Sequence, residues 1–151
     1  MNRMMMLTVA VLATLGWTGC GGEDKDAEEL SKRELVARAN AICGSALTGI
    51  RAIRQPAGSG EPDDMAAYLD RSVPIVQRLT DRLADLRPAK DVKDEWDAFV
   101  DRTQDVNEQL KAIRERAAGP DADGVGDLEP TSNEAFAAAA RKLGAKVCAT
   151  L

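Results

Sequence analysis

Residues 31–53 read SKRELVARANAICGSALTGIRAI, and the interpretation of the whole chain begins from this stretch. Its apolar residues recur at steps of three and four, which is the spacing of one buried face on a helix. Ser31 and Glu34 form an S-x-x-E capping box at its start. The predicted face consists of Leu35, Ala39, Ile42, Cys43, Ala46, Ile50 and Ile53. The sequence therefore predicts a long amphipathic helix with Cys43 on its buried face.

Three further segments carry helical spacing, at about residues 63–86, 91–117 and 131–151. Pro74 interrupts the first of them, and a proline inside a helix removes one hydrogen bond and clashes with the preceding turn. We therefore expect a kink near residues 71–73. In the next segment Trp96 and Phe99 occupy heptad positions, which favours core packing over a surface aromatic patch. We predict an all-α protein, an up-down-up-down four-helix bundle with a kinked second helix.

The N-terminal segment has the organisation of an export signal. Arg3 precedes an apolar run from Met4 to Leu15, which is too short to span a bilayer comfortably. The run leads through small residues to Cys20 and resembles the signals of bacterial lipoproteins, in which this cysteine carries diacylglycerol. An ordinary secretory peptide or an uncleaved anchor is the alternative. We expect lipidation of Cys20 and three regions: a lipoprotein signal peptide at 1–19, a flexible tether at 20–30 and a helical domain at 31–151.

The cysteines agree with export. The chain has three of them, and an odd number in an exported protein needs an explanation. Lipidation of Cys20 leaves Cys43 and Cys148, which should oxidise outside the cytoplasm. A disulfide holds its Cα atoms about 4.4–6.8 Å apart, so helices can carry one only where small residues flank it. Such residues are present here, namely Ala39, Ala46, Gly144 and Ala145. We predict a disulfide joining the first and last helices; two free buried thiols are the alternative.

Composition excludes several classes of function. The formal net charge is −5 and the charges are dispersed, whereas a nucleic-acid-binding protein needs a concentrated basic patch. The chain contains no histidine. This absence removes Ser–His and Cys–His nucleophilic pairs and most zinc and iron sites. We therefore expect no nucleic-acid partner and no cofactor.

The loop over residues 118–130 contains an acidic cluster formed by Asp121, Asp123 and Asp127. An EF-hand calcium loop needs oxygen ligands at alternate positions, a central glycine and a bidentate Glu at its twelfth position. In that register Val125 takes the fifth position and Ser132 the twelfth. The match is poor, so we predict a solvated linker and no metal site.

Three short motifs are shared with a family of bacterial proteins. They are Ala39-Asn40-Ala41-Ile42-Cys43, then Leu86-Arg87-Pro88 before Trp96 and Phe99, and finally Leu143-Gly144 before Val147-Cys148. Together they resemble the small helical lipoproteins and secreted proteins of high-GC actinobacteria, which have an Asn-Ala pair before an early cysteine and another cysteine near the end. The resemblance implies a helical fold and an envelope location, and it implies no reaction.

Asn40 is the remaining candidate residue, because it lies one turn before Cys43 on nearly the same face. A buried amide must be hydrogen-bonded, so Asn40 either bridges helices or contacts a ligand. We expect a lipid-anchored, non-enzymatic binding or interaction module on the extracytoplasmic face of the cell membrane. Its expected partners are the membrane, through the lipid, and an envelope protein or a small ligand. The alternatives are a structural envelope spacer and, less favoured, a hydrolase that uses paired carboxylates.

Overall fold

The computed structural model describes residues 29–56, 62–120, 122, 125 and 132–151. Within these residues the chain forms helices and no strand. The helices are α1 (Lys32–Arg51), α2 (Pro62–Ala84), α3 (Lys93–Ala117) and α4 (Asn133–Leu143), followed by a 3₁₀ turn at Cys148–Thr150. The predicted all-α fold is confirmed. The expected signal peptide, Cys20 and residues 20–28 of the expected tether lie outside the described residues.

Helix α1 begins with the predicted capping box. The backbone N–H of Ser31 donates to Glu34 Oε2 at 3.2 Å, and the backbone N–H of Glu34 donates to Ser31 Oγ at 3.5 Å. Hydrogen bonds from Ser31 hold the pKa of the Glu34 carboxyl below its ordinary value. The buried face is the predicted one as far as Ala46, whereas Ile50 and Ile53 are only half-buried.

The main core contains Trp96 and Phe99, the two aromatic residues that the heptad of α3 predicts to be buried. Trp96 and Phe99 are buried, with ring centroids 5.4 Å apart, and Phe99 also stacks on Phe136 of α4 at 5.5 Å. Burial of three neighbouring aromatic rings supplies much of the apolar area that stabilises this end of the bundle. Core packing of Trp96 and Phe99 is therefore confirmed.

A second apolar cluster lies towards the other end of α2 and α3. It is formed by Leu69, Val73, Ala117 and Val125. Val125 belongs to the loop that was predicted to be a solvated linker, yet its side chain is only 1% exposed. At this residue the prediction is wrong, because burying Val125 also shields Leu69 and Val73 from water. Asp121, Asp123 and Asp127 lie outside the described residues.

The chain enters the fold at Leu30, one residue before α1 is capped. The backbone N–H of Leu30 donates to the carbonyl of Arg87 at 2.8 Å, and its own carbonyl accepts from the N–H of Ala89 at 2.9 Å. The Leu30 side chain is 6% exposed and belongs to the main core. The expected tether therefore ends before Leu30, because two hydrogen bonds and a buried leucine fix this residue to the α2–α3 turn.

Helix α4 ends at Leu143, earlier than predicted. Gly144 adopts a left-handed conformation with φ of 90°. The N–H of Ala145 then donates to the carbonyl of Ala140 at 2.8 Å, and the N–H of Gly144 to that of Arg141 at 3.1 Å. This is a Schellman motif, in which a glycine reverses the chain and satisfies the last carbonyls. The prediction that the helix continues to residue 151 is wrong.

The two predicted partner cysteines meet at disulfide distance. Their sulfur atoms are 2.09 Å apart and their Cα atoms 5.1 Å apart, across a sequence separation of 105 residues. Cys43 lies on α1, but Cys148 opens the 3₁₀ turn beyond α4. The link therefore connects α1 to the C-terminal turn and not, as predicted, the first helix to the last. Each helix packs on the next along the chain, and this turn packs on both α1 and α4.

We predict that alanine substitutions at two glycines, Gly144 in the Schellman motif and Gly44 in α1, have opposite effects on stability. Gly144→Ala should lower the free energy of unfolding by roughly 1–2 kcal/mol, because a side chain disfavours the left-handed conformation. Gly44→Ala, inside α1, should raise it by about 0.5–1 kcal/mol, since an added Cβ would only meet Val147 Cγ1 at 3.8 Å. Urea denaturation of residues 21–151 measures both. Equal effects of the two variants would contradict the proposed role of Gly144.

The cysteine pair predicts a large loss of stability on reduction. A bond that closes a loop of about a hundred residues contributes up to about 4–5 kcal/mol in the chain-entropy model. The oxidised domain and its Cys43→Ala/Cys148→Ala variant should therefore differ strongly in urea midpoint, with similar helicity by circular dichroism. Two free thiols in peptide maps of exported protein, or equal midpoints, would contradict this expectation.

Candidate functional site

An apolar cavity of about 340 Å³ lies between α2 and α3. The end of α1, the start of α4 and Leu151 complete its wall. None of the lining side chains carries a charge; they are Ile50, Met65, Tyr68, Leu69, Ser72, Val76, Leu79, Thr103, Val106, Leu110, Ile113, Asn133, Phe136 and Leu151. Its volume falls at the lower end of the range for small-molecule sites, about 300–1,000 Å³.

Two heptad stripes build this cavity. On α2, five of the six lining residues follow one another at alternating steps of four and three, namely Met65, Leu69, Ser72, Val76 and Leu79, and Tyr68 lies beside this stripe. On α3 the corresponding stripe is Thr103, Val106, Leu110 and Ile113. A repeat of this kind directs one stripe of each helix towards its neighbour. The cavity therefore arises where two regular stripes face each other and contain Ser72 and Thr103 in place of larger apolar residues.

Ser72 is the unusual member of this lining. It is only 4% exposed, and in the part of the chain that the structure describes its Oγ has no hydrogen-bond partner. Two other buried hydroxyls on these helices are paired, because Thr103 Oγ1 donates to the Phe99 carbonyl at 3.0 Å and Thr80 Oγ1 to that of Val76 at 2.9 Å. An unsatisfied buried hydroxyl costs about 1–3 kcal/mol. Ser72 therefore marks the cavity as a candidate site.

Sequence reasoning did not identify Ser72, although the signal was present. Val73, the next residue along α2, also fits a helical apolar pattern, and it is buried in the second apolar cluster. The alternation of four and three from Leu69 to Val76 passes through Ser72. A polar residue at such a core position of a heptad is the pattern that indicates either register control or a site.

The cavity is electrically neutral at physiological pH. Burial raises the pKa of the Tyr68 hydroxyl above its ordinary value, so this phenol stays protonated. Arg114 of α3 pairs with Asp70 of α2, and both partners are about half exposed. The lining therefore offers no charged side chain to a molecule in the cavity.

Asn107 is a second buried polar residue in which one atom lacks a hydrogen-bond partner among the described residues. It is 2% exposed, and its Nδ2 donates to Gln77 Oε1 at 2.7 Å. Gln77 in turn donates from Nε2 to Asp81 at 2.8 Å, and because a carboxylate only accepts, Asp81 fixes the direction of the chain. Asn107 Oδ1 is left without a partner among the described residues. Asn107 does not line the cavity, so we assign it a structural position between α2 and α3.

Asn40, the candidate polar residue of α1, lies away from the cavity. It is half-buried, and its Oδ1 accepts the backbone N–H of Val147 at 2.8 Å. One turn later on the same helix, Cys43 meets Cys148. The structure therefore brings the predicted residues Asn40, Cys43 and Cys148 together at one junction between α1 and the C-terminal turn, where Asn40 bridges two segments of the chain.

Ser132, which takes the twelfth position of the calcium register, contacts α3. Its backbone N–H and its Oγ both donate to Gln109 Oε1, at 3.3 and 3.2 Å, and so connect the start of α4 to α3. In the described ranges no three Asp, Glu, Cys or His residues are grouped in a way that would hold a metal ion. Thr131 lies outside the described residues, and Ser132 precedes α4.

A larger surface depression lies beside the α2–α3 turn. It has a volume of about 1080 Å³, and its charged lining mixes both signs, with Arg87, Lys90 and Lys93 next to Asp97 and Asp101. Lys93 is hydrogen-bonded to Asp97. Exposed charges that neutralise one another select no particular ligand, so this depression is a weaker candidate than the Ser72 cavity.

The function of this chain has to be inferred from the geometry of its helices and cavities. Within the described segments, no helix combines the length and the apolar character needed to cross a bilayer. Comparison with protein-family models, curated proteins and solved structures gives no match to this chain.

Proposed function

We propose that this protein is a lipid-anchored, non-enzymatic binding module on the extracytoplasmic face of the membrane. In this proposal its helical domain binds a small uncharged molecule in the cavity between α2 and α3. The observation that carries the binding role is a cavity of about 340 Å³ whose lining is mostly apolar and includes Ser72, a buried residue whose hydroxyl has no hydrogen-bond partner among the described residues. A core that tolerates an unsatisfied polar group loses stability, and such losses are expected at functional positions.

Binding is favoured over catalysis by what surrounds Ser72. A serine becomes a nucleophile only with an adjacent general base, and the chain contains no histidine. No charged side chain lines the cavity, so neither a carboxylate pair nor a lysine stands ready to act on a ligand there. These features support a site that recognises a molecule and releases it unchanged.

The proposed location rests on the N-terminal sequence and on the two remaining cysteines. The signal-like residues 1–19 and Cys20 support export and lipidation, and two acyl chains would give a stable anchor. Cys43 and Cys148 at disulfide distance agree with an oxidising compartment, in which we propose that they form a bond.

The proposal also includes an up-down-up-down arrangement with a bend in α2. The successive packing of α1 on α2, α2 on α3 and α3 on α4 supports this order. Pro74 lies within α2, between two lining residues, Ser72 and Val76. Because a proline removes one helical hydrogen bond, a bend here would widen the gap between α2 and α3 at the level of the cavity.

The binding role predicts saturable uptake of an uncharged apolar probe. We expect N-phenyl-1-naphthylamine to fluoresce more strongly when titrated with residues 21–151. Val106→Phe should abolish the saturable part, because the added ring fills the cavity, whereas Ala98→Phe on the exposed surface of α3 should not. Circular dichroism melts establish that both variants fold. Equal responses of the two variants would contradict this site.

The anchoring role predicts that Cys20→Ser releases the protein from membranes. In a bacterial host the unchanged full-length chain should sediment with the membrane fraction, and the variant should become soluble after signal cleavage or stay attached only as an uncleaved precursor. Mass spectrometry distinguishes these forms, since diacylglycerol adds mass only to a peptide that begins with Cys20. A mature variant that resists a carbonate wash would contradict lipid anchoring.

A further inference from the structure

The surface groove between α1 and α2 carries arginines and no acidic side chain. A depression of about 180 Å³ lies there, with Ser45 and Gly49 on the α1 side and Arg78 and Arg82 on the α2 side. These two arginines are the only charged residues of its lining among the described residues. Resting on the membrane location proposed above, we propose that this groove binds the phosphate groups of anionic phospholipids and so holds the domain against the membrane surface.

Helix α2 keeps acidic and basic side chains on different sides. Asp70 forms an ion pair with an arginine of α3, and Asp81 accepts a hydrogen bond from Gln77, whose amide oxygen accepts one from α3. Arg78 and Arg82 lie towards α1 instead, one helical turn apart. A chain whose formal net charge is −5 therefore presents a positively charged face at this groove.

Helix α1 leaves this positive charge uncompensated. Its one acidic residue is Glu34, in the first turn, and the capping box with Ser31 holds that carboxylate. Arg38 lies one turn before Ile42, a lining residue of the depression. Because residues four apart are neighbours on a helix surface, Arg38 extends the row of arginines at the groove.

A second depression, of about 360 Å³, lies between the residues that follow α1 and the first half of α2. Arg54 and Arg71 line it together with one carboxylate, that of Asp64. The two depressions therefore place an excess of positive charge at two levels of the contact between α1 and α2.

Arg78 and Arg82 are available to a partner. Both are exposed, and neither forms an ion pair with another described residue, not even with Asp85, three residues after Arg82. Four cations of α3 are instead paired with acidic side chains; they are Lys93, Arg102, Lys111 and Arg114. Within the part of the chain that the structure describes, the charge of the groove is therefore not neutralised by ion pairs.

Two guanidinium groups and a hydroxyl suit a phosphate group. A guanidinium donates two parallel hydrogen bonds to phosphate oxygens. Residues four apart on a helix have Cβ atoms about 5–6 Å apart, so Arg78 and Arg82 can bind one phosphate or two neighbouring ones. Ser45, on the facing helix, is exposed, and its Oγ forms no hydrogen bond with another described residue. This hydroxyl can therefore donate to the same phosphate.

The place where the chain enters the fold favours a phospholipid over a free phosphate ion. Leu30 is hydrogen-bonded to the α2–α3 turn, and Arg82 lies in the last turn of α2. The chain from Cys20 to Leu30 can span at most about 36 Å, and α1 is about 30 Å long. A domain anchored at Cys20 therefore stays close enough to the bilayer to lay the groove on it. Each arginine near an anionic surface strengthens binding about fivefold.

Vesicle binding tests the groove without the lipid anchor. Residues 21–151 lack Cys20, and a circular dichroism melt first establishes that they are folded. We expect them to sediment with vesicles made of equal parts of phosphatidylcholine and phosphatidylglycerol, and not with vesicles of phosphatidylcholine alone. High salt should abolish this binding, because it screens exposed charges. Absence of binding to the mixed vesicles would overturn the proposal.

Two double variants with the same change of charge locate the contact. Arg78→Gln/Arg82→Gln should weaken binding to the mixed vesicles about 25-fold, which is the effect of two cations at an anionic surface. Arg102→Gln/Arg116→Gln removes two exposed charges from α3 and should have little effect. Melting curves establish that both variants fold. Equal losses in the two variants would mean that net charge and not the groove determines binding, which would overturn the proposal.

Arginine labelling tests the same contact in the full chain. The protein is recovered from bacterial membranes, reconstituted into bilayers of the two compositions and treated with phenylglyoxal, which modifies accessible arginines. Mass spectrometry should show that Arg78 and Arg82 are protected in the mixed bilayers, whereas Arg116 is labelled equally in both. Labelling of Arg78 and Arg82 that is independent of lipid composition would overturn the proposal. Protection of both by inorganic phosphate in phosphatidylcholine bilayers would assign the groove to a free phosphate ion instead.

The experiments separate failure of this inference from failure of the proposed anchoring. Binding of residues 21–151 to vesicles does not require Cys20, so it persists if fractionation of Cys20→Ser contradicts lipid anchoring. Vesicle binding in that case supports the groove alone. Membrane anchoring through Cys20 without binding of residues 21–151 to the mixed vesicles overturns the groove alone.

Discussion

The fold depends on bringing the end of the chain into close contact with the middle of α1. Cys43 and Cys148 have Cα atoms 5.1 Å apart, whereas packed helices usually keep their axes about 8–10 Å apart. The close approach is possible because α4 ends before Cys148, which therefore does not lie on a packed α-helix. Gly144 ends α4 in a left-handed conformation, and the 3₁₀ turn then approaches α1 more closely than a helix would. The hydrogen bond from Val147 to Asn40 secures the same junction.

This junction and the cavity lie in different parts of the bundle, and the two parts differ in how tightly they are packed. Aromatic rings and the cysteine pair hold the main core, in which Trp96, Phe99 and Phe136 are well packed. The facing stripes of α2 and α3 instead leave space around Ser72. A domain whose stability comes chiefly from one region can tolerate an unsatisfied hydroxyl and incomplete packing in another. That division explains how a small helical domain can keep a cavity open.

The sequence predicted those features that depend on local periodicity. The buried face of α1, its capping box and the core positions of Trp96 and Phe99 follow from spacing alone, and the small residues beside both cysteines indicated their approach. Burial of Leu30 and Val125 was not predictable in this way, because each is an isolated apolar residue fixed by distant partners. The end of α4 was predictable, since Leu143-Gly144 is a stop signal. Ser72 was missed because Val73 continued an equally acceptable apolar pattern.

The sequence separation of the cysteine pair also sets an order of events during synthesis. Chains emerge from their N-terminus, so Cys43 appears 105 residues before Cys148, the cysteine that it meets. Helices α2 and α3 are joined by a short turn and meet through contacts that are close in sequence, which form rapidly. Helix α1 can pack on α2 in that interval, but its contact with the C-terminal turn must wait until the last residues arrive. Until then the Cys43 thiol remains open to other thiols, and a chain cut short before residue 148 lacks that contact.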